Sequence, residues 1–444
     1  MQTRFLALVV TFVLSSSVWA LDLRTTLEVG VTASQEIQQA KSKKKESQAV
    51  AWQYKSEIFP EVNARASAEK RLNSNAARAF TSGSTVNDPF STYVVALDFR
   101  QPIFAGLALV SGWQLSNVVD EKSESEYFQT QQAVIKNLIS AFYTYSQSFE
   151  IVEASKQNLK TLEDYSKTLT YYAKIGRGRE MDRLQAGVNA SLAAVDLQAA
   201  EQELLAAELN LKKLLQWSSK DPIIVTKSLH VSNHEKLKTQ ELTKATVDDL
   251  ITRAFKENPR LQVLEKSVRE SELSSDVEIS PDRPSLDIVG TYGSQAIHRD
   301  DLLQNNAEFY SYGLSLRIPL FSGLSSLGKR RELRERTYQF EKSYEIEKRD
   351  MRVKIELAQK NLKKLFTQYQ NLKDVAQRSQ RALELVNRSY RQGTSSSQDV
   401  VSFQRSRYEA DRALIQNQYS YLMALVELQD LIGIDLYKTY TQDL

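Results

Sequence analysis

The chain has 444 residues, of which 41% are hydrophobic and 25% charged, with 14 Gly, 8 Pro and no Cys. Its 58 basic and 55 acidic residues leave a net charge of +3, too even a balance for a nucleic-acid partner, which requires concentrated Lys and Arg. Without Cys there are no disulfides, no thiol catalysis and no Cys-ligated zinc, and three histidines (His230, His234, His298) supply too little for a metal centre or metalloenzyme.

Residues 1–20 read as a secretory signal peptide: Arg4 gives a positive start, Phe5 to Leu14 an apolar core, and Val18-Trp19-Ala20 a small-residue cleavage pattern. That core is about ten residues long, against the roughly 20 a spanning helix needs. No later stretch is apolar for long enough to cross a bilayer as a helix. An exported chain of this kind enters a membrane only through β-strands.

A first short helix is predicted over about 25–58, followed by a hairpin between Pro60 and Pro102. Its returning strand alternates well, with Tyr93, Val95, Leu97 and Phe99 on one face and Val94, Ala96, Asp98 and Arg100 on the other. The outgoing strand, Val62 to Ala66, is weaker. No Pro occurs between 103 and 221, and Ala, Leu, Gln, Glu, Lys and Arg dominate, so a very long helix is expected over about 107–174, then a tight turn and a return helix over 179–216. Residues 217–245, polar and containing Asp221-Pro222, read as a linker. The plan then repeats: a helix over 246–280, a hairpin between Pro284 and Pro319, a long helix over 324–391 and a return helix over 396–432, with 433–444 as a short tail. In the second hairpin Tyr310, Tyr312, Leu314, Leu316 and Ile318 oppose Ser311, Gly313, Ser315 and Arg317. One apolar and one polar face over ten to twelve residues fits a membrane strand, or a solvated hairpin packed on a soluble core.

The two halves match residue by residue. Pro102-Ile103-Phe104-Ala105-Gly106 returns as Pro319-Leu320-Phe321-Ser322-Gly323, 217 positions on. Tyr93, Leu97, Arg100, Gly176, Asp182, Leu205 and Leu211 return as Tyr310, Leu314, Arg317, Gly393, Asp399, Leu422 and Leu428 at the same offset. The domains are therefore a signal peptide (1–20), a first structural repeat (21–216), a linker (217–245), a second repeat (246–432) and the tail. Four strands per chain leave two open sheet edges, which lipid does not tolerate, so the sheet must close with other copies of itself. Three copies give a ring of twelve strands around a water-filled lumen.

The doubled plan, the Pro-x-Phe-x-Gly after each hairpin, Glu257-Asn258-Pro259-Arg260-Leu261-Gln262, and the turns Tyr172-x-x-x-Gly176 and Tyr390-x-x-Gly393 resemble the TolC-like outer membrane efflux protein family. The likeness covers essentially the whole mature chain and rests on the order and spacing of these pieces. The first half departs from it around Ser34-Gln35-Glu36, which lacks the Asn-Pro pair. The resemblance implies a mainly α protein with membrane β, in which long antiparallel helices form an α-barrel and four strands per chain join a trimeric twelve-stranded β-barrel. It implies an outer-membrane location extending into the periplasm, contact with outer-membrane lipid, and partnership with a periplasmic adaptor and an inner-membrane transporter. The function implied is a passive duct, neither an enzyme nor cofactor-dependent, for efflux of small molecules or type I secretion of proteins. The residues agree on energy supply: Gly176-x-Gly178 lies in a helical turn with no strand before it and no Walker pattern.

By the same resemblance, Gly176 and Gly393 are adaptor-contact turns; their plainer role is to end helices with positive φ. The family pattern puts acidic residues six and nine positions after the second glycine, ringing the pore constriction. Here Asp399 and Ser402 stand there, and Asp399 reads equally as a carboxylate stabilising a helix N-terminus. The Arg of the family's ionic lock is replaced by Ser395, leaving Asp182, Arg177, Arg179 and Arg391 as candidates for a substitute. His230 and His234 lack a third ligand. Trp52, Phe59, Phe104 and Phe321 flank the strands, as an interfacial belt or as ordinary core. A periplasmic or surface coiled-coil scaffold accounts for the helices but not for the repeated hairpins.

Overall fold

The computed structural model describes residues 20–71, 90–218, 224–225, 233–296, 299–302, 307–321 and 324–442. Residues 1–19 of the expected signal peptide, His230, His298 and Ser322-Gly323 lie outside them, and His234 is described in its backbone alone. The first half contains β1 (Ala20–Leu21), α1 (Leu23–Ala33), α2 (Gln35–Ser56), β2 (Glu61–Arg71), β3 (Phe90–Ala105), α3 (Ala108–Lys174) and α4 (Glu180–Leu215). After these come β4 (Ile224–Val225), α5 (Asn233–Lys244), α6 (Val247–Glu257), α7 (Pro259–Glu278), β5 (Ser285–Ala296) and β6 (Glu308–Arg317). The chain continues with α8 (Ser325–Arg391), α9 (Ser397–Leu431) and α10 (Leu436–Gln442). Both α3 and α8 have 67 residues, each about 100 Å long at 1.5 Å per residue, and both start and stop 217 positions apart.

Two expected helices are each two. The first breaks at Ser34, whose N–H donates to Gly30 O at 2.9 Å while its Oγ accepts from Ile37 N at 3.3 Å. The second breaks at Asn258, held at ψ 120° because the ring of Pro259 disfavours helix at the residue before it. Ser34 and Asn258 stand 224 positions apart, as do Pro60 and Pro284, so the first half carries seven extra residues within its hairpin. The expected linker contains a helix, α5, and a strand, β4, paired in parallel with β1. The expected tail forms α10, with Leu436 and Tyr440 buried.

Two compact units divide the chain, and each draws on both halves. One, the sheet unit, comprises Gln39–Phe128 and Pro259–Arg349. Its four strands run in the order β2-β3-β5-β6, all antiparallel, leaving β2 and β6 as edges. The register aligns Ala64 with Leu97, Leu97 with Tyr292, and Tyr292 with Tyr310. Val62, Ala64, Ala66 and Ala68 thus share one face with Val95, Leu97, Phe99, Ile288, Tyr312, Leu314 and Leu316. The larger of these side chains are exposed. The opposite face is polar: Arg65 pairs with Asp98 at 3.3 Å, Arg100 with Asp287 at 3.2 Å, and Thr291 Oγ1 donates to Asp98 at 2.9 Å. At the sheet's base Gly106, with φ +57°, accepts at its carbonyl from Arg283 Nη1 at 2.9 Å. Ion pairs tie the helices of this unit, Lys43 to Glu126 at 2.8 Å, Lys122 to Glu270 at 2.7 Å and Arg260 to Glu347 at 3.0 Å.

The other, the helical unit, comprises Met1–Gln38, Gln129–Asn258 and Asp350–Leu444. On α4 the buried residues Ala186, Ala193, Ala200 and Ala207 recur every seven positions, and Ala200 packs on Ile151 and Val152 of α3. Small residues at this spacing let two long helices approach closely along a narrow seam. The end of α9 is buried more deeply. Tyr419 meets Tyr143 edge-on at 6.1 Å, and Tyr421 stacks on Tyr369 at 5.9 Å.

Candidate functional site: the paired helical turns

Each long helix in the helical unit stops in the same way. Gly176 lies at φ +72° and donates to Ala173 O at 3.1 Å, while Arg177 N reaches Tyr172 O at 2.9 Å. Gly393 lies at φ +77° and donates to Tyr390 O at 3.0 Å, while Thr394 N reaches Ser389 O at 2.9 Å. These nested bonds are Schellman motifs, and they require a left-handed residue that glycine adopts without steric cost. The helix-ending role of both glycines is therefore present. A Cβ built on either one meets nothing within 4 Å, so each also presents bare backbone on its outer side.

The two return helices start differently. Ser396 caps α9: its Oγ accepts from Asp399 N at 3.1 Å, and Asp399 Oδ2 accepts from Ser396 N and Oγ, both at 2.8 Å. These bonds from the Ser396 backbone and hydroxyl hold the Asp399 carboxyl below its ordinary value. The stabilising role at a helix N-terminus is thus visible in one chain, and the Ser-x-x-Asp spacing was its signal in the sequence. Arg179 stands at the matching position of α4 and makes no side-chain cap, so Asp182 has no reciprocal partner of that kind. Ser402 is exposed on α9 one turn beyond Asp399.

Arg177, Arg179 and Arg391 are exposed and form no ion pair with any described residue. Of the charged residues in the first turn, Arg183 pairs with Glu180 through its Nε at 2.9 Å. A lock between the candidate arginines and Asp182 or Asp399 does not exist within one chain. The structure instead brings Arg177, Arg391, Ser395 and Gly393 around a cleft of about 580 Å³ that Tyr165 and Tyr390 also line. The two rings meet edge-on at 5.8 Å, and Tyr165 OH donates to Ser397 O at 3.3 Å. Burial is the main cause that pushes the Tyr165 phenol well above its ordinary value, with the charge of Asp182 adding to it.

Tyr165 belongs to a row of polar contacts joining α3 to α9. Glu150 accepts from Tyr419 OH at 3.1 Å, Ser155 meets Tyr408 at 2.8 Å, and Asn158 accepts from Gln404 at 3.0 Å. None of these was singled out by sequence, because partners some 230 to 270 positions apart leave no local signal. Among the described residues there is no group of His, Asp or Glu able to hold a metal ion.

A family model described as outer membrane efflux protein matches residues 32–215 and 250–434. The outer membrane protein TolC of Vibrio cholerae is 23% identical over 341 residues, 73% of this chain and 73% of that protein. The alkaline protease secretion protein AprF of Pseudomonas aeruginosa is 22% identical over 355 residues, 78% of this chain and 70% of that protein. Among solved structures, a membrane protein from Pseudomonas aeruginosa superposes with a TM-score of 0.80 at 16% identity, covering 95% of this chain and 93% of that one. The outer membrane protein VceC from Vibrio cholerae gives 0.77 at 16% identity, covering 93% and 96%. At such identities the structural likeness establishes the fold.

Proposed function

The chain belongs to the outer membrane efflux protein family, and from that premise we propose that three copies form a passive exit duct through the outer membrane. An inner-membrane transporter and a periplasmic adaptor supply energy and cargo, which is small molecules or proteins. Family members are channels rather than enzymes.

The observation that carries the reading is the four-stranded sheet with unpaired β2 and β6 edges, an exposed apolar face and a polar face of paired charges. In hydrocarbon each unpaired N–H or C=O costs several kcal/mol, so both edges need partners. Because β2 and β6 run antiparallel across the sheet, β6 of one copy can pair antiparallel with β2 of the next. Two copies would give eight strands, whose interior side chains fill, whereas three give twelve and leave room for water. A coiled-coil scaffold offers no reason for the exposed apolar face. The bare backbone at Gly176 and Gly393 suits close approach by an adaptor, and Asp399 of three copies would ring the entrance as a constriction.

Crosslinking tests the closure. The chain lacks Cys, and β2 and β6 are separated by two strands, roughly 14 Å, so introduced thiols on them bond only between copies. The internal β3–β5 junction supplies the register: Leu97 against Tyr292 becomes Leu314 against Ala68 of a second copy at offsets of 217 and 224. Leu314→Cys with Ala68→Cys is expected to give covalent trimers that conduct ions in planar bilayers. Detergent-extracted protein that stays monomeric and does not conduct would sink the proposal.

A further inference from the structure

The apolar face of the sheet does not stop at the last strand residue. Leu320, Phe321, Leu324 and Leu327 follow β6 onto the start of α8 and are 56–93% exposed. With 3.6 residues per turn, Leu324, Leu327, Arg331, Arg334 and Tyr338 share a sector of about 80° on α8, and Arg330 borders it. Leu333, buried in the unit, lies on the opposite side of the helix. The stripe thus passes from leucines to arginines as it leaves the sheet.

The internal repeat shows that neighbours on both sides leave such a stripe uncovered. Ile103, Phe104, Leu107 and Val110 stand 217 positions before the four apolar residues. Their strand β3 is flanked within the chain by β2 and β5, and α3 pairs with both α2 and α7. They nevertheless remain 43–59% exposed. Phe104 is the register partner of Leu286 and so continues the sheet's apolar face. Below them the first repeat carries Trp113, Gln114 and Asn117, with Lys55 Nζ 5.1 Å from the Trp113 ring centre. The second repeat carries Arg330, Arg331 and Arg334 at those positions.

These arginines are exposed and pair with no described residue. The carboxylates nearby are largely committed: Glu278 meets Lys329 at 2.8 Å and Arg336 at 3.7 Å, and Glu332 meets Lys329 at 3.2 Å. Among the described residues of α8 up to Tyr338, Glu335 is the one carboxylate outside an ion pair, against the three positive charges of Arg330, Arg331 and Arg334. Along the helix Arg330 and Arg331 follow Leu327 by about 4.5 and 6 Å, the depth of one headgroup layer, and Arg334 follows by about 10.5 Å, from where its long side chain reaches back to that layer.

We propose that Arg330, Arg331 and Arg334, beneath Leu320, Phe321, Leu324 and Leu327, bind the phosphate groups of anionic phospholipids in the periplasmic leaflet. The inference rests on the outer-membrane reading given above. Guanidinium groups form paired hydrogen bonds with phosphate oxygens, and the leucines and Phe321 seat the acyl chains just above. Three such sites per trimer would alternate with three aromatic ones, each a Trp113 ring with Lys55 beside it.

The test uses the full-length protein in nanodiscs of phosphatidylglycerol or phosphatidylcholine, with retained lipid counted by native mass spectrometry. Wild type is expected to retain phosphatidylglycerol in preference to phosphatidylcholine. Replacing Arg330, Arg331 and Arg334 together by Gln is expected to cut that retention by roughly tenfold or more. The triple Lys variant keeps the charge and is expected to keep most of the retention. Equal retention of both lipids by wild type, or unchanged retention in the Gln variant, overturns the proposal. So does binding of inorganic phosphate alone without any lipid preference. Conductance of the same protein preparations in planar bilayers separates the two proposals. A conducting wild type with no lipid preference removes the site and leaves the duct, whereas a protein that neither inserts nor conducts removes both.

Discussion

Gly106, Gly176 and Gly393 all sit at positive φ, +57°, +72° and +77°, yet alanine should affect them unequally. The left-handed conformation alone costs an L side chain roughly 1–2 kcal/mol at each site. At Gly176 and Gly393 that is the whole effect, because an added Cβ meets nothing within 4 Å. At Gly106 the Cβ would lie 2.5 Å from Arg283 Cβ and 2.7 Å from the main-chain oxygen of Ser280. Neither is the far end of a flexible side chain, and the bond from Arg283 to the Gly106 carbonyl holds both sides together. Relieving the overlap means moving backbone, which adds roughly 1–3 kcal/mol. Gly106→Ala should therefore lose roughly 2–5 kcal/mol, and each turn glycine roughly 1–2 kcal/mol. Thermal unfolding followed by far-ultraviolet circular dichroism, in one detergent for all variants, gives the ranking. A Gly106→Ala protein that melts together with Gly176→Ala would refute the argument that packing adds to φ strain at the sheet's base.

Asp399→Ala is expected to weaken block of single-channel current by divalent or trivalent cations added on the periplasmic side; unchanged block would remove Asp399 from the constriction. Since its bonds to Ser396 hold this carboxyl low, block in wild type should persist as pH falls through the ordinary carboxylate range and disappear only below it. Tyr165→Phe removes the bond to Ser397 O, at a cost of roughly 0.5–1.5 kcal/mol, and keeps the ring contact with Tyr390. A phenol raised in the folded state contributes stability that is full below its ordinary value near 10 and declines as pH rises beyond it. The unfolding midpoint of wild type should thus fall more steeply above that pH than that of Tyr165→Phe, and parallel curves would show that the phenol is not held neutral by the fold.

Much of this architecture is written in local pattern. The 217-residue offset, the prolines that bound each hairpin and the alternation in β3 and β6 gave the doubled plan, because each depends on neighbours within a few residues. The turn glycines were legible for the same reason, since a Schellman motif closes within six residues. The break at Asn258 had its signal in the following proline, whereas the break at Ser34 had none, because a serine there can continue a helix or cap the next one. Tertiary structure decided what the charges do. Arg177, Arg179 and Arg391 at the turns proved unpaired with any described residue, while Asp399 found Ser396 one turn away. Only packing could join Tyr165 to Ser397 or leave Arg330, Arg331 and Arg334 uncovered, since contact between antiparallel helices depends on which faces meet and not on separation along the chain.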